Sequence, residues 1–454
     1  MKNRINEAIA KSKARYTEIR LEEKEFSNIM LKGKEIEKIS KKLDTGGIVR
    51  CLAKNGGWGI ASFNNLDELD KQVEIATKCA EAVSSEKIEI GETEPVVLEK
   101  FANMKEDFRP LSLKAKMDVL EEYNDIILSG KEVLTSAINY GDRFVKYHFA
   151  NSEGTYIYDE KPLIDLSIGA ITARNGDTQF NSQGDAFSNS GFENVRNQQG
   201  FAHLALKNAQ NLLDAKPMQG GVYEVVTDQL LSGVFVHEAF GHLSESDFLF
   251  DNPSAQEMMT MGRRFGTEIL NIADSGVEGE ILPGTHIYDD EGIPMQRTQL
   301  VKEGVLVGRL HSRETAHKMG EKPTGNARAT DYRYPPIVRM RNTFVEPGNS
   351  TKEELISEIK DGLYAVGSYG GQTYLGDFSF SASFGYLIKN GKIEQMVKNI
   401  MLNGNIFETL SNVTGVGKDF VWHSGGRCGK GQGGLPVGMG APSLRIKNVL
   451  IGGE

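Results

Sequence analysis

Residues 234–247, VFVHEAFGHLSESD, gather two imidazoles and three carboxylates in one short stretch. His237 and His242 bracket Glu238, a set able to hold a metal ion with a base beside it. The spacing is one residue longer than the H-E-x-x-H helix of zinc proteases. On a straight α-helix, residues four apart differ by about 40° of rotation and residues five apart by roughly 140°. The two rings therefore share an ion only if the helix is broken or bulged between them. Gly241, directly before His242, predicts that break, because glycine accepts left-handed caps and accommodates an inserted bulge.

Two histidines on an apolar helix are often no more than buried rings with satisfied hydrogen bonds. Glu238, standing where the general base of a hydrolytic zinc site would stand, favours metal chemistry. A hydrolytic zinc site takes three protein ligands and leaves a position for water. The residues alone leave the third ligand open among Glu245, Asp247, His148, His203, His286, His311, His317, His423 and Cys428. Cys428 lies in HSGGRCGKGQGGLPVGMGAP, and eight of the 50 glycines fall within positions 425–440. Such a loop folds tightly and approaches a metal or substrate closely. A lone cysteine is otherwise a small buried hydrophobe, and a glycine-rich segment otherwise a flexible tail.

The elements that must position these groups read as α+β, with mainly antiparallel sheets and flanking helices. A short helix carries Ile5 and Ile9. TEIRL alternates as a strand, SNIMLKGKEIEKI turns at Gly33, and GGIVRCLAKNGGWGIASF pairs two strands across Asn55-Gly56. Leu66, Leu69, Val73, Ala76, Ala80 and Val83 follow at helical spacing, and residues 84–100 read as a polar connection. A helix from Ser112 to Leu128 leads into a meander of short strands, VLTSAINY, FVKYHFANSEGTYIY and LIDLSIGAITARNGDTQF, punctuated by Gly and Asn. A helix over 195–213 closes an N-terminal α+β domain, 1–216, and DAKPMQGG marks the boundary to a C-terminal domain, 217–454.

That second domain opens with the strand GVYEVV and a helix capped by Asp228. Hairpins are expected in TQLVKEGVLVGRL and at Asn390-Gly391, and Thr351 with Glu354 has capping-box spacing. The glycines of GSYGGQTYLG either form a plain turn or let a peptide strand pair along the backbone.

The formal charge of −10 and the absence of a basic cluster in sequence argue against nucleic acid as a partner. No stretch reaches the ~18 apolar residues of a membrane-spanning helix, and no secretory signal is visible, so no membrane partner is expected. Three cysteines, Cys51, Cys79 and Cys428, suit a reducing cytoplasm rather than a disulfide framework.

HEAFGH, YDDEGIPMQ, GNARATDYRYPPIVRMRNTFVEPG, YLIKNGKI and GRCGKGQGGLPVGMGAPSLRI together closely resemble the TldD/PmbA family, metalloproteases once called modulators of DNA gyrase. The likeness runs along the C-terminal half, while motifs in the N-terminal half are weaker. The resemblance implies zinc held by His237, His242 and Cys428, with Glu238 as general base. It implies a catalytic TldD-like chain, since TldE/PmbA-like members lack these residues. It also implies unfolded, extended peptides as substrates, and a homodimer or a heterodimer with a TldE/PmbA-like subunit. Two other expectations compete: a non-catalytic peptide-binding subunit with structural zinc, and a metal-dependent amidase acting on small molecules. His423 and Arg427, close to Cys428, are the nearest groups that could steady an oxyanion.

Overall fold

The computed structural model describes residues 1–83, 87–374 and 376–452. Residues 84–86 of the expected polar connection and Leu375 of the GSYGGQTYLG segment lie outside the described residues.

The N-terminal half is built on one seven-stranded sheet. Its strands are β1 (Tyr16–Lys32), β2 (Glu35–Leu52), β3 (Trp58–Phe63), β4 (Val97–Lys100), β5 (Val133–Asn151), β6 (Tyr156–Arg174) and β7 (Asp177–Ser188). The order is β3-β2-β1-β5-β6-β4, with β7 also paired to β6. Four helices accompany it: α1 (Lys2–Ala10), α2 (Leu69–Ala82), α3 (Leu113–Leu128) and α4 (Gln199–Asp214). The hairpins at Gly33 and Asn55-Gly56 form where expected, with both glycines at positive φ.

The expected antiparallel meander is present, with strands that run longer than the sequence segments. VLTSAINY and FVKYHFAN are one continuous strand, and so are TYIY and LIDLSIGAITAR. Gly141 continues the ladder, opposite Asn28 on one side and Asp165 on the other, so no turn forms there. The turns lie at residues 152–155 and at Asn175-Gly176, at the Gly and Asn punctuation of the sequence, and Asn175 and Gly176 both take positive φ.

Strand alternation gives this sheet two unlike faces. Ile19, Leu21, Val49 and Cys51 pack with α1 and α2, while Ile29, Ile138, Ile164 and Leu166 pack with α3 and α4. The opposite face of β1 carries Glu18, Arg20, Glu22 and Lys24, and these charged side chains are also buried. They are covered by the C-terminal half. Arg20 donates to the carbonyls of Asp331 (2.7 Å) and Tyr334 (2.8 Å), and Arg50 bridges Glu18 (2.7 Å) and Glu291 (3.3 Å).

The C-terminal half holds a ten-stranded and a six-stranded sheet. Strand Gly221–Thr227 lies inside the larger one, between Asp361–Val366 and Leu444–Gly452. It feeds helix α5 (Gln229–Val236) through Asp228, whose carboxylate accepts the Leu231 N–H at 2.9 Å as an N-cap. Residues Leu231–Val236 are all buried, because α5 packs against strands of both sheets. A helix covered on all sides has no polar stripe, which is why QLLSGVFV is so apolar. The capping box at Thr351 and Glu354 and the Asn390-Gly391 hairpin are both present. Among the described residues, no helix is long and apolar enough to cross a membrane.

Candidate metal centre

Helix α5 ends at Val236, and His237–Gly241 form one turn of π-helix followed by a 3₁₀ turn over His242–Ser244. The His242 N–H donates to the His237 carbonyl, five residues back. That i→i+5 bond is the defining bond of a π turn, and it brings together the two histidines that an α-helix would splay. Their ring centroids lie 5.4 Å apart at an interplanar angle of 81°. The expected bulge is there, but the role of Gly241 is different. Its φ of −58° is ordinary right-handed helix. A Cβ at this position would sit 1.9 Å from the Met340 sulfur, so the glycine is needed for close packing and not for a left-handed turn.

Cys428 comes from strand Val421–Gly429, paired with Gly434–Ala441 so that Cys428 faces Leu435. The glycine-rich segment is thus a β-hairpin rather than a loose tail. Gly431 and Gly433 take the positive φ values of its turn. Arg339, fully buried, clamps the hairpin by donating to the Cys428 carbonyl and to the Lys430 carbonyl at 3.3 Å. The Lys430 ammonium reaches Asp247 (2.6 Å) and the Val338 carbonyl (2.9 Å).

One donor atom each from His237, His242 and Cys428 lies within 4.8 Å of the others. Cys428 Sγ is 3.5 Å from His242 Nε2. Burial alone would raise the Cys428 thiol, but hydrogen bonds from His237 and His242 outweigh it and bring its pKa down to about 5. Burial likewise disfavours charge on His242, yet its bonds to Cys428 and Glu245 raise its pKa to about 11. The pair is a thiolate facing an imidazolium, whose proton a metal ion would displace. Two imidazoles and one thiolate form a borderline-soft donor set of the kind zinc takes. The fit is chemical as well as spatial.

The remaining ligand candidates lie elsewhere or do other work. Glu245 accepts from His242 Nδ1 at 3.0 Å and is itself held by Lys430 at 3.0 Å. A carboxylate behind a ligating imidazole fixes its tautomer and ring orientation. Asp247 is taken up by Lys430 and by the Val338 N–H. His148 bonds the Tyr156 hydroxyl, His311 bonds Ser246 and Thr315, and His203 and His317 are exposed. His286 is away from the trio, beside a second cavity.

Sequence reading missed Arg339 and Lys430. The only signal for them was a basic residue near each motif, which is too common to single out.

Glu238 lies beside the trio, its Oε2 4.0 Å from His242 Nε2, and about a quarter of its side chain is exposed. With His237 it lines a cleft of about 590 Å³. The opposite wall is the sheet of the N-terminal half around Tyr140, Asp165 and Gly184, and Gly425–Arg427 run along one side. His423 also faces the cleft, its Nε2 buried without a partner, and burial lowers its pKa. Arg427 is paired across the cleft with Asp165 at 3.0 Å.

Three family models cover this chain: PmbA/TldA metallopeptidase domain 1 at residues 17–85, the central domain at 106–213, and the C-terminal domain at 220–453. A metalloprotease from Synechocystis sp. is 41 % identical over 98 % of this chain and 96 % of its own. A zinc metalloprotease TldD homolog from Saccharolobus solfataricus is 33 % identical over 70 % of this chain and 71 % of its own. The crystal structure of TldE from Thermococcus kodakarensis has the same fold, with a TM-score of 0.80 over 99 % of both chains at 17 % identity. On its full-length family matches, the chain belongs to the PmbA/TldA metallopeptidase family.

Proposed function

We propose that this chain is a zinc-dependent metallopeptidase acting on unfolded or extended peptides, with His237, His242 and Cys428 as zinc ligands and Glu238 as general base. The observation that carries this is the convergence of two imidazoles and a thiolate within 4.8 Å, with a carboxylate between them and an open cleft. A structural zinc site is usually closed by four ligands and needs no base. Bound zinc would supply Lewis acidity, polarising a scissile carbonyl and acidifying water.

The residues of the chain divide the remaining work. The Glu238 carboxylate accepts a proton from the attacking water and returns one to the leaving amine. Glu245 holds His242 in one tautomer, and Lys430 holds Glu245. Val421–Gly429 and Gly370–Tyr374 are edge strands of their sheets, and both reach the cleft through Gly425–Arg427 and Gly370. An extended substrate pairing with such an edge is read by its backbone more than its side chains, so selectivity is broad. A folded domain offers few free strands and is spared. A second subunit, either another copy or a TldE-like chain, encloses the cleft, closed pairs being the commonest soluble oligomers. Residues 1–216 and 217–454 act as two domains, with the cleft at their junction.

The test is zinc content and cleavage of a casein-like unfolded chain, with and without chelator, beside small amides and a compact folded protein. Mass in solution is measured in parallel. One zinc per chain, chelator-sensitive cleavage of the unfolded chain alone and a dimer mass are expected, and Cys428→Ala should lower zinc content sharply. Full zinc in Cys428→Ala would move the third ligand elsewhere. Turnover of small amides only would favour an amidase.

A further inference from the structure

Beside the Cys428 hairpin lies a second cavity, of about 80 Å³, between the charged face of the N-terminal sheet and the C-terminal half. Leu435, the strand partner of Cys428, lines it together with Pro436. Its walls carry five basic side chains, Lys24, Arg143, Lys161, Arg328 and Arg341, against two carboxylates, Glu22 and Asp290.

Those carboxylates are already engaged. Glu22 pairs with Lys24 at 2.8 Å and Arg20 at 3.3 Å. Asp290 lies 3.5 Å from Arg20 and accepts the Ala329 N–H at 2.8 Å. Among the described residues, the other four cations make no ion pair. Arg328 spends its guanidinium on the carbonyls of Met340 and Pro436. Arg341 is 4 % exposed, and its side chain makes one hydrogen bond, from Nε to the Gly325 carbonyl. Among the described residues, its two terminal nitrogens have no hydrogen-bond acceptor. Arg143 Nε and His286 Nδ1 are buried without partners, and the Lys161 ammonium rests on the Tyr147 ring, 3.6 Å from its centroid.

Asp289, Asp290 and Asp274 act on Arg341, and Asp290 and Asp159 on Lys161, from beyond ion-pair distance, and a buried cation without a direct partner is costly. Its electrostatic trace is consistent across the cluster. Burial, then the neighbouring Arg341 and Arg339, bring Arg328 down to about 9. Burial, then Lys161 and Arg341, lower His286, and Lys161 and Arg341 are lowered chiefly by burial.

We propose that this cavity is a binding site for a small oxyanion of the phosphate or sulfate class, held by Arg143, Lys161 and Arg341. The chemistry fits, because guanidinium forks and an ammonium are the side chains that bind tetrahedral oxyanions. The size fits too. A single water needs about 10–15 Å³ of cavity space, so a cavity of about 80 Å³ has room for one such ion. The bound anion neutralises the junction between the two halves and backs the strand pair that carries Cys428.

The probe is inorganic phosphate, titrated calorimetrically and followed by thermal unfolding, with sodium chloride at matched ionic strength as the control. Phosphate should raise the unfolding temperature of the native chain by several degrees beyond the chloride control. Arg143→Gln and Lys161→Met should abolish that rise. Because each removes an unpaired cation, each variant should be at least as stable as the native chain in chloride and less stable in saturating phosphate. This reversal of rank distinguishes an anion site from general salt screening and does not depend on peptidase activity. No calorimetric binding with equal shifts in phosphate and chloride, or an undiminished phosphate shift in both variants, would overturn the proposal.

Discussion

The trio of His237, His242 and Cys428 and the basic cavity both adjoin one strand pair, yet they handle buried charge in opposite ways. At the trio Cys428 and His242 face each other at 3.5 Å, and each favours the charged form of the other, lowering the thiol and raising the imidazole. At the cavity five basic side chains outnumber two carboxylates, and burial lowers Arg328, Lys161 and Arg341, none of which forms an ion pair among the described residues. A buried cluster of mixed sign is complete with protons and open to a cation in their place. A buried cluster with one sign in excess is incomplete until a counter-ion arrives.

The largest expected effect tests the first of these sites. Glu238→Gln should keep zinc and fold but lose peptide hydrolysis by roughly 10²–10⁴-fold, the usual worth of general acid–base assistance. Near-normal turnover by zinc-loaded Glu238→Gln would remove the base and leave the trio a structural site.

Next is the support behind the trio. Glu245→Gln retains a neutral acceptor opposite His242 but withdraws the charge that Lys430 and His242 share. Zinc affinity, measured by chelator competition, should weaken about 10–100-fold. Unchanged affinity would mean that packing alone orients His242.

Smaller still is the effect of refilling the π turn. Gly241→Ala drives a methyl into Met340, an overpacking cost of about 1–3 kcal/mol, partly offset by the better helix propensity of alanine, about 1 kcal/mol. A net loss of about 0–2 kcal/mol in denaturant unfolding is expected from these terms. A gain in stability would show that Met340 moves aside freely.

The smallest effect belongs to a cysteine outside both sites. Cys79 is exposed on α2, and Cys79→Ala should change stability by no more than about 0.5 kcal/mol and leave zinc content untouched. Loss of zinc would bring the N-terminal half into the metal site.

Much of this molecule was legible in its sequence. Local rules are written locally, so the hairpins at Gly33, Asn55-Gly56 and Asn390-Gly391 and the caps at Asp228 and Thr351 form as read. The H-E-x-x-x-H spacing demanded a bulge, because five residues on an α-helix cannot align two rings, and the π turn supplies it. What sequence could not give was decided between segments far apart in the chain. The meander reads as the runs VLTSAINY, FVKYHFANSEGTYIY and LIDLSIGAITARNGDTQF, whereas the first continues through Gly141 into the second because neighbours on both sides hold that glycine in the ladder. Glu245 and Asp247 had the chemistry of ligands, and only the arrival of Lys430 from the hairpin engages both carboxylates otherwise. Alternation in β1 predicts one apolar and one polar face, and a polar face ordinarily meets water. Here the C-terminal half covers it, so charges that read as solvated become a buried network. Periodicity fixes which side chains share a face, but what that face meets is set by packing across the chain.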